Sequence, residues 1–195
     1  MIAAIVLAAG ASRRFGAQKL LAPLAGRPLV RWTVENVLEA RPDDVIVVLG
    51  RDGERVREAL RGLAVRCVVN EQWADGMSGS LRAGVLAVPH AADAVLIALG
   101  DQPGVGVDII VSLMAASATG KGPIVAPSYR GERGNPVLFD AALFPELLTV
   151  RGDRGARDLL ARDPSRVTLV EFDRPAPADV DREEDLRLVL QARSL

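Results

Sequence analysis

Ile5 to Lys19 reads IVLAAGASRRFGAQK, an aliphatic run that passes without a break into a loop of small residues carrying Arg13, Arg14 and Lys19. An apolar strand feeding such a loop is what a polyanionic phosphate ligand needs. Ala8, Ala9 and Gly10 leave the backbone bare enough for N–H groups to approach phosphate oxygens, and the cations stand just beyond. Two familiar phosphate loops are excluded by spacing. Gly10 and Gly16 are too far apart for a Walker A loop, Lys19 does not directly follow the second glycine, and no hydroxyl comes after Lys19 to hold a metal. The dinucleotide fingerprint is also missing, because only alanine and serine lie between Gly10 and Arg13. The alternative is a plain tight turn with solvated arginines. Against it stands the cation usage of the chain, which places lysine only at Lys19 and Lys121 and arginine elsewhere. A compact ammonium at Lys19 suits a phosphate.

Working outward, aliphatic runs of strand length alternate with helical patterns. Ile2 to Leu7 precedes a helix from about Pro28 to Glu39, and Val45 to Leu49 precedes one from Glu54 to Arg61. Cys67 to Val69 precedes Ser80 to Ala87, and Ala94 to Leu99 precedes Val107 to Ala116. Strands apolar on every residue belong to sheets covered on both faces, so the pattern predicts an α/β fold with a mainly parallel sheet between helices. Ligands of such sheets sit beyond the carboxyl ends of the strands. That brings together the loop Ala8 to Lys19, the loop Asn70 to Ser80 and the turn Gly100 to Pro103.

The chain of 195 residues suits one domain, 1–195, and its 49% hydrophobic content argues against disorder. A net charge of −1 offers no basic field for nucleic acid. Cys67 is the only cysteine, which excludes an intramolecular disulfide and a multi-cysteine zinc site, and His90 is the only histidine. No basic segment precedes the first apolar run, which is too short to span a membrane, so a cytoplasmic location is expected, with neither membrane nor nucleic acid as partner.

Asp101 ends the strand Ala94 to Leu99 inside Gly-Asp-Gln-Pro, where a carboxylate can hold a divalent cation whose shell is completed by substrate phosphates; a simple Asx turn is the competing reading. Asn70 to Ser80, NEQWADGMSGS, places glycines and serines ahead of a helix, to face a nucleotide or merely to cap. Asp179 and Asp181 fall on one face of an extended segment, so either can reach a metal, with helix capping by Asp181 as the alternative.

Six stretches in order resemble the small nucleotidyltransferases that share the fold of the molybdopterin guanylyl- and cytidylyltransferases: LAAGASRRFGAQKLL from Leu7, NEQWADGMSGSLRAG from Asn70, GDQP from Gly100, GNPVLF from Gly134, GDRGARDLL from Gly152 and DVDREEDL from Asp179. The resemblance covers nearly the whole chain and implies a three-layer, Rossmann-like nucleotidyltransferase fold with a mainly parallel, mixed sheet. In it the N-terminal part would bind nucleotide and the C-terminal part the acceptor. Ala8 to Gly10 stands where the guanylyltransferases typically carry two glycines, and with GMSGSL and GDQP it looks like the cytidylyltransferase branch.

The implied reaction is transfer of CMP from CTP to molybdopterin, the molybdenum cofactor, with release of pyrophosphate and with Mg2+ or Mn2+ as cofactor. A recipient molybdoenzyme or its chaperone would be a further partner. By the same resemblance Arg14, Lys19 and Asp101 are catalytic, Asp101 and Asp181 hold the metal, and Leu7 to Arg13, Lys19, Asn70, Ser78, Gly79 and Ser80 bind the nucleotide. Gln102, Pro103, Asn135, Asp153 and Arg157 would face the acceptor. The chain departs from the family pattern at Arg182 and Glu183, where many members have Thr-Pro, and at Asn135, where some have His. Two other readings stay open: a transferase of the same fold using GTP or a sugar phosphate, and a non-catalytic module that delivers the pterin.

Overall fold

The computed structural model describes residues 1–10, 12, 15, 17–152 and 156–193. Seven strands form one sheet in the order β10-β7-β9-β6-β1-β4-β5, with β8 as an eighth strand paired to β7. Their bounds are β1 (Ile2–Ala8), β4 (Asp44–Leu49), β5 (Arg66–Val69), β6 (Ala94–Leu99), β7 (Ile124–Tyr129), β8 (Glu132–Arg133), β9 (Val137–Asp140) and β10 (Val167–Phe172). A two-residue ribbon, β2 (Pro23–Leu24) with β3 (Arg27–Pro28), stands apart. β1, β4, β5 and β6 pair in parallel, as do β7 and β10. Only β9, antiparallel to both β6 and β7, and β8 run the other way. The sheet is therefore mixed and mainly parallel.

Among the described residues seven α-helices accompany it: α1 (Leu29–Glu39), α2 (Gly53–Ala59), α3 (Met77–Ala87), α4 (Val107–Ser117), α5 (Phe144–Thr149), α6 (Arg157–Arg162) and α7 (Glu183–Arg193). Along β1 the side chains alternate between two cores. Ala4, Val6 and Ala8 point into a cluster with Leu29, Val34 and Ile110 from α1 and α4, while Ala3 and Ile5 join Leu81, Val85 and Leu147 from α3 and α5. Period-two alternation with an apolar residue on both sides gives three layers, and it is why the strand shows no polar face. β1 also marks the place where the chain reverses its walk across the sheet, since β4 and β5 lie on one side of it and β6 on the other. Crevices beyond the carboxyl ends of strands open at such a switch point.

One boundary differs from the expected helix at Ser80. α3 begins three residues earlier, at Met77, because Gly76 at φ 108° makes the turn into it. The early start places Gly79 against Asn70, where a Cβ would stand 3.2 Å from the amide nitrogen. At Gly84 a Cβ would lie 2.8 Å from Ile5 Cγ2, so glycine lets α3 settle directly on β1.

Candidate functional site

The carboxyl ends of β1 and β6 are in register, Leu7 opposite Leu99, and Gly100 N–H donates to the Leu7 carbonyl at 2.9 Å. The turn after β6 is then fixed from below by α1. Thr33 Oγ1 donates to the Gly100 carbonyl at 3.1 Å, and Asn36 Nδ2 donates to the carbonyls of Pro103 at 3.2 Å and Val105 at 2.8 Å. These bonds satisfy backbone acceptors that the turn leaves over, and they hold Asp101 at the strand end.

The loop after β1 is braced in a similar way. Ser12 Oγ donates to Gln18 Oε1 at 2.8 Å and accepts from Lys19 N at 3.1 Å, while Gln18 Nε2 donates to the Arg51 carbonyl at 2.9 Å. Ser12 is therefore an internal strut of the loop, and it aims the short turn Lys19–Leu21 toward Asp101.

Between these loops lies a cavity of about 470 Å³, lined on one side by Leu7, Ala9, Gly10, Ser12 and Lys19, on another by Trp73 to Met77 and Ser80, and closed by Leu99, Asp101 and Asp181. Its polar centre is Lys19. The ammonium Nζ lies 2.6 Å from Asp101 Oδ2 and 2.9 Å from Asp181 Oδ1, and the three side chains are 12%, 22% and 33% exposed. Burial works against the Lys19 charge, but the two carboxylates outweigh it and hold its pKa above the ordinary lysine value. Burial likewise pushes the Asp101 carboxyl above the usual aspartate range, against the opposing pull of Lys19.

Asp181 arrives from the far end of the chain through three contacts. Gln102 Nε2 donates to Asp179 Oδ1. Val180, fully buried, donates its N–H to the Asp101 carbonyl at 3.1 Å. Asp185 Oδ2 accepts the N–H groups of Asp181 at 2.8 Å and Arg182 at 2.7 Å. Asp185 thus caps α7 from inside its first turn, the reaching-back half of a capping box, and α7 starts without the Thr-Pro pair. Asp181, expected to cap or to hold a metal, does not need to cap. Asp179 and Asp181 also part company: the first is exposed and held by Gln102, and only the second reaches Lys19. Both lie in the connector between β10 and α7.

The expected site residues divide accordingly. Leu7, Ala9, Gly10, Ser12, Lys19, Ser80, Asp101 and Asp181 line the cavity, and Ala8 is buried beneath it. Asn70, Ser78 and Gly79 stand behind the wall. Asn70 Nδ2 donates to Ser80 Oγ at 3.0 Å while its Oδ1 accepts from Gln72 N at 3.1 Å, so its amide clamps the loop onto α3. Gln102 and Pro103 are buried beside Asp101, and Asn135 and Arg157 lie away from the cavity lining. Ala11, Arg13, Arg14 and Asp153 lie outside the described residues.

Sequence reasoning placed the Asn70 to Ser80 loop and its Gly76 at the site but did not single out Trp73, Ala74, Asp75 and Met77, which form one wall with Gly76. The available signal was an aromatic and a methionine standing in an otherwise polar loop. Gly50 was missed as well. A Cβ there would come within 2.6 Å of the Ala9 carbonyl and 2.7 Å of Trp73 Cβ, so only glycine lets the β1 loop and the Trp73 wall meet.

Two carboxylates and a lysine at the lip of a cleft can hold a hard divalent cation and face phosphate oxygens. Among the described residues no group of three or more His, Cys, Asp or Glu gathers around a point. No helix among the described residues is long and apolar enough to cross a membrane.

The family model of the MobA-like NTP transferase domain matches residues 4–167. The chain is 35% identical over 199 residues to nicotine blue oxidoreductase of Paenarthrobacter nicotinovorans, covering 97% of this chain and 96% of that one. It is 29% identical over 201 residues to the purine catabolism protein PucB of Bacillus subtilis, with the same coverage. Among solved structures, Rv0371c of Mycobacterium tuberculosis superposes with a TM-score of 0.88 at 30% identity over 97% of both chains. A second structure of Rv0371c, in complex with manganese, gives 0.85 at 28% identity over 98% of both chains. A nucleotidyl transferase from Methanothermobacter gives 0.85 at 29% identity over 100% of this chain and 99% of that one.

Proposed function

The chain belongs to the MobA-like NTP transferase family, and from that premise we propose that it transfers CMP from CTP to molybdopterin, releasing pyrophosphate, with Mg2+ or Mn2+ held by Asp101 and Asp181. The observation that carries this reading is the convergence of two carboxylates, from the β6 turn and the C-terminal connector, on one cationic point beside a cavity of about 470 Å³. Two hard oxygens from protein and the rest from phosphate is a common shell for these ions. The manganese in the related Rv0371c structure supports the choice of cation. The Ala8 to Gly10 loop, GMSGSL and GDQP support CTP as donor through their resemblance to cytidylyltransferases.

In the proposed reaction a terminal phosphate oxygen of molybdopterin attacks the α-phosphorus of CTP, and pyrophosphate departs in line. Both reactants are anions, so repulsion is the main obstacle. The divalent cation supplies charge neutralisation on the phosphates and the leaving group. Lys19 and Arg14 add to it, and the bare backbone from Ala8 to Ser12 receives phosphate oxygens. Trp73, Met77 and Ser80 line the opposite wall and offer the base an apolar face with one hydroxyl. By the family resemblance Asn135, Asp153 and Arg157 would face the pterin. The attacking phosphate monoester is already largely ionised at neutral pH, so no general base is required. His90, exposed in the turn after α3, is not needed.

A second reading, an oxidoreductase working in the same cavity, is supported by the likeness to nicotine blue oxidoreductase. Transfer is preferred because paired carboxylates around a lysine answer the needs of phosphate chemistry, whereas moving a hydride does not call for them. One incubation decides. The protein is given Mg2+ with CTP or GTP and with molybdopterin or a sugar phosphate, and pyrophosphate is measured; parallel samples follow the absorbance of added nicotinamide or flavin cofactors. Pyrophosphate from the CTP and molybdopterin pair alone is the expected result. Its absence from every pair would remove the transfer reading, and release from another pair would reassign donor or acceptor.

A further inference from the structure

The Lys19 ammonium stands between the two carboxylates assigned to the divalent cation, within 3 Å of each. An ion coordinated by Asp101 Oδ2 and Asp181 Oδ1 cannot share that point with an ammonium, because two cations would crowd the same pair of oxygens. The backbone of Lys19 is fixed through Ser12 and the Lys19–Leu21 turn, but its four-carbon stem can carry the charge several ångströms without moving the main chain. Among the described residues no group of three or more His, Cys, Asp or Glu gathers to receive an ion, so the shell is sparse and must be won from a cation already in place.

Resting on the reading that Asp101 and Asp181 hold the metal, we propose that Lys19 is an exchangeable counter-ion: it fills the cation position while the cavity lacks nucleotide, and it moves onto the triphosphate when the metal and the nucleotide enter together. The charges support the exchange. The divalent ion takes over the place of the ammonium between the two carboxylates, and the released ammonium finds the phosphates that came with the ion. Metal and nucleotide then assist each other's binding, and metal alone is held off.

The lysine usage of this chain gives a direct probe, since Lys19 and Lys121 are its only lysines and Lys121 is exposed. Full-length protein labelled at the lysine side chains should show two ammonium resonances. Mg2+ alone at millimolar concentration should leave the Lys19 signal in place, and Mg2+ with a non-hydrolysable CTP analogue should shift it while Lys121 serves as reference. A Lys19 signal that stays put while 31P spectra show the analogue bound would overturn the exchange.

Metal affinity without nucleotide is the second measure, read by electron paramagnetic resonance of free Mn2+. Lys19→Met should bind Mn2+ about tenfold or more tightly than the unaltered protein, because the ion no longer has to displace an ammonium from between Asp101 and Asp181. Lys19→Arg should bind as weakly as the unaltered protein, and Asp101→Asn should abolish the gain in the Lys19→Met background. Equal or weaker Mn2+ binding by Lys19→Met, or Lys19→Arg matching its gain, would overturn the proposal. Pyrophosphate release by the unaltered protein judges the transfer reading separately, so the two fail by different results.

Discussion

Gly50 and Gly10 both border the candidate site, and an added methyl group should separate their roles. At Gly50 an alanine Cβ would stand 2.6 Å from the Ala9 carbonyl oxygen, 2.7 Å from Trp73 Cβ and 2.8 Å from Ala9 Cβ. Ordinary carbon contacts lie at about 3.5–4.0 Å, so each approach is roughly an ångström too short. None of the three atoms is the end of a flexible side chain. Relief requires the main chain at Ala9 or at Trp73 to move, and Ala9 itself is buried in the core facing α3. Overpacking of this kind costs about 1–3 kcal/mol, and three simultaneous contacts with rigid partners put Gly50→Ala near about 3. At Gly10 a Cβ meets nothing within 4 Å among the described residues, and the residue lines the cavity. Gly10→Ala should therefore change stability by less than about 0.5 kcal/mol while obstructing a phosphate that comes close to the backbone. Urea titration of both variants measures the first quantity, with equal slopes required so that midpoints compare stability alone. Isothermal titration with Mg2+ and a CTP analogue measures the second. A midpoint for Gly50→Ala that converts to under about 0.5 kcal/mol of destabilisation would refute the packing argument. Undiminished nucleotide affinity in Gly10→Ala would refute the role given to the bare backbone.

Asp101→Ala should lower the rate of pyrophosphate release by about 10²- to 10³-fold, the usual loss for one preorganised electrostatic contact, and near-normal turnover would remove the metal assignment. Removing the divalent ion with EDTA should abolish release from the unaltered protein, and added Mg2+ or Mn2+ should restore it. Asp185→Ala, which frees the N–H groups of Asp181 and Arg182, should cost about 1 kcal/mol by urea titration. It should also weaken Mn2+ binding, because it loosens the segment that presents Asp181. Burial pushes the Tyr129 hydroxyl up to about 12 from 10.0. Below pH 10 the proton is bound in both folded and unfolded chains; above it only the folded chain keeps the proton, so this stabilisation is lost as pH rises toward 12, by about 2.7 kcal/mol for two units. Stability of the unaltered protein relative to Tyr129→Phe, measured at pH 9 and pH 11.5, should fall across that window, and a constant difference would contradict the shift.

The strands and central helices were legible because their signal is local. Ala94 to Leu99 and Val45 to Leu49 are aliphatic on every residue, and β6 matches the expected bounds while β4 begins one residue earlier. The fold class followed from that periodicity. The antiparallel insertion of β9 between β6 and β7 was not readable from the residues themselves, since Val137 to Phe139 looks the same whichever way it runs. The helix start at Met77 was hidden for a related reason. The decisive residue is Gly76 at φ 108°, and a glycine in a loop of several glycines does not announce which of them turns the chain.

For the candidate site, the sequence located the residues better than it located their partners. Rarity of lysine drew attention to Lys19, and a strand end drew attention to Asp101, yet phosphate was the partner anticipated for the one and metal for the other. The structure joins them to each other and to Asp181, which is 162 residues from Lys19 along the chain. Such a pairing depends on how the connector after β10 crosses the β6 turn, and that crossing is fixed by Val180 in the core and Gln102 on Asp179. Gln102 shows the same limit from the other side. The family resemblance implied an acceptor contact for it; the structure buries it and spends its amide nitrogen on the strap that carries Asp181. A residue one step along the chain from a functional carboxylate thus serves the site by holding another carboxylate in place. That role arises from contacts distant in sequence, and no local spacing encodes it.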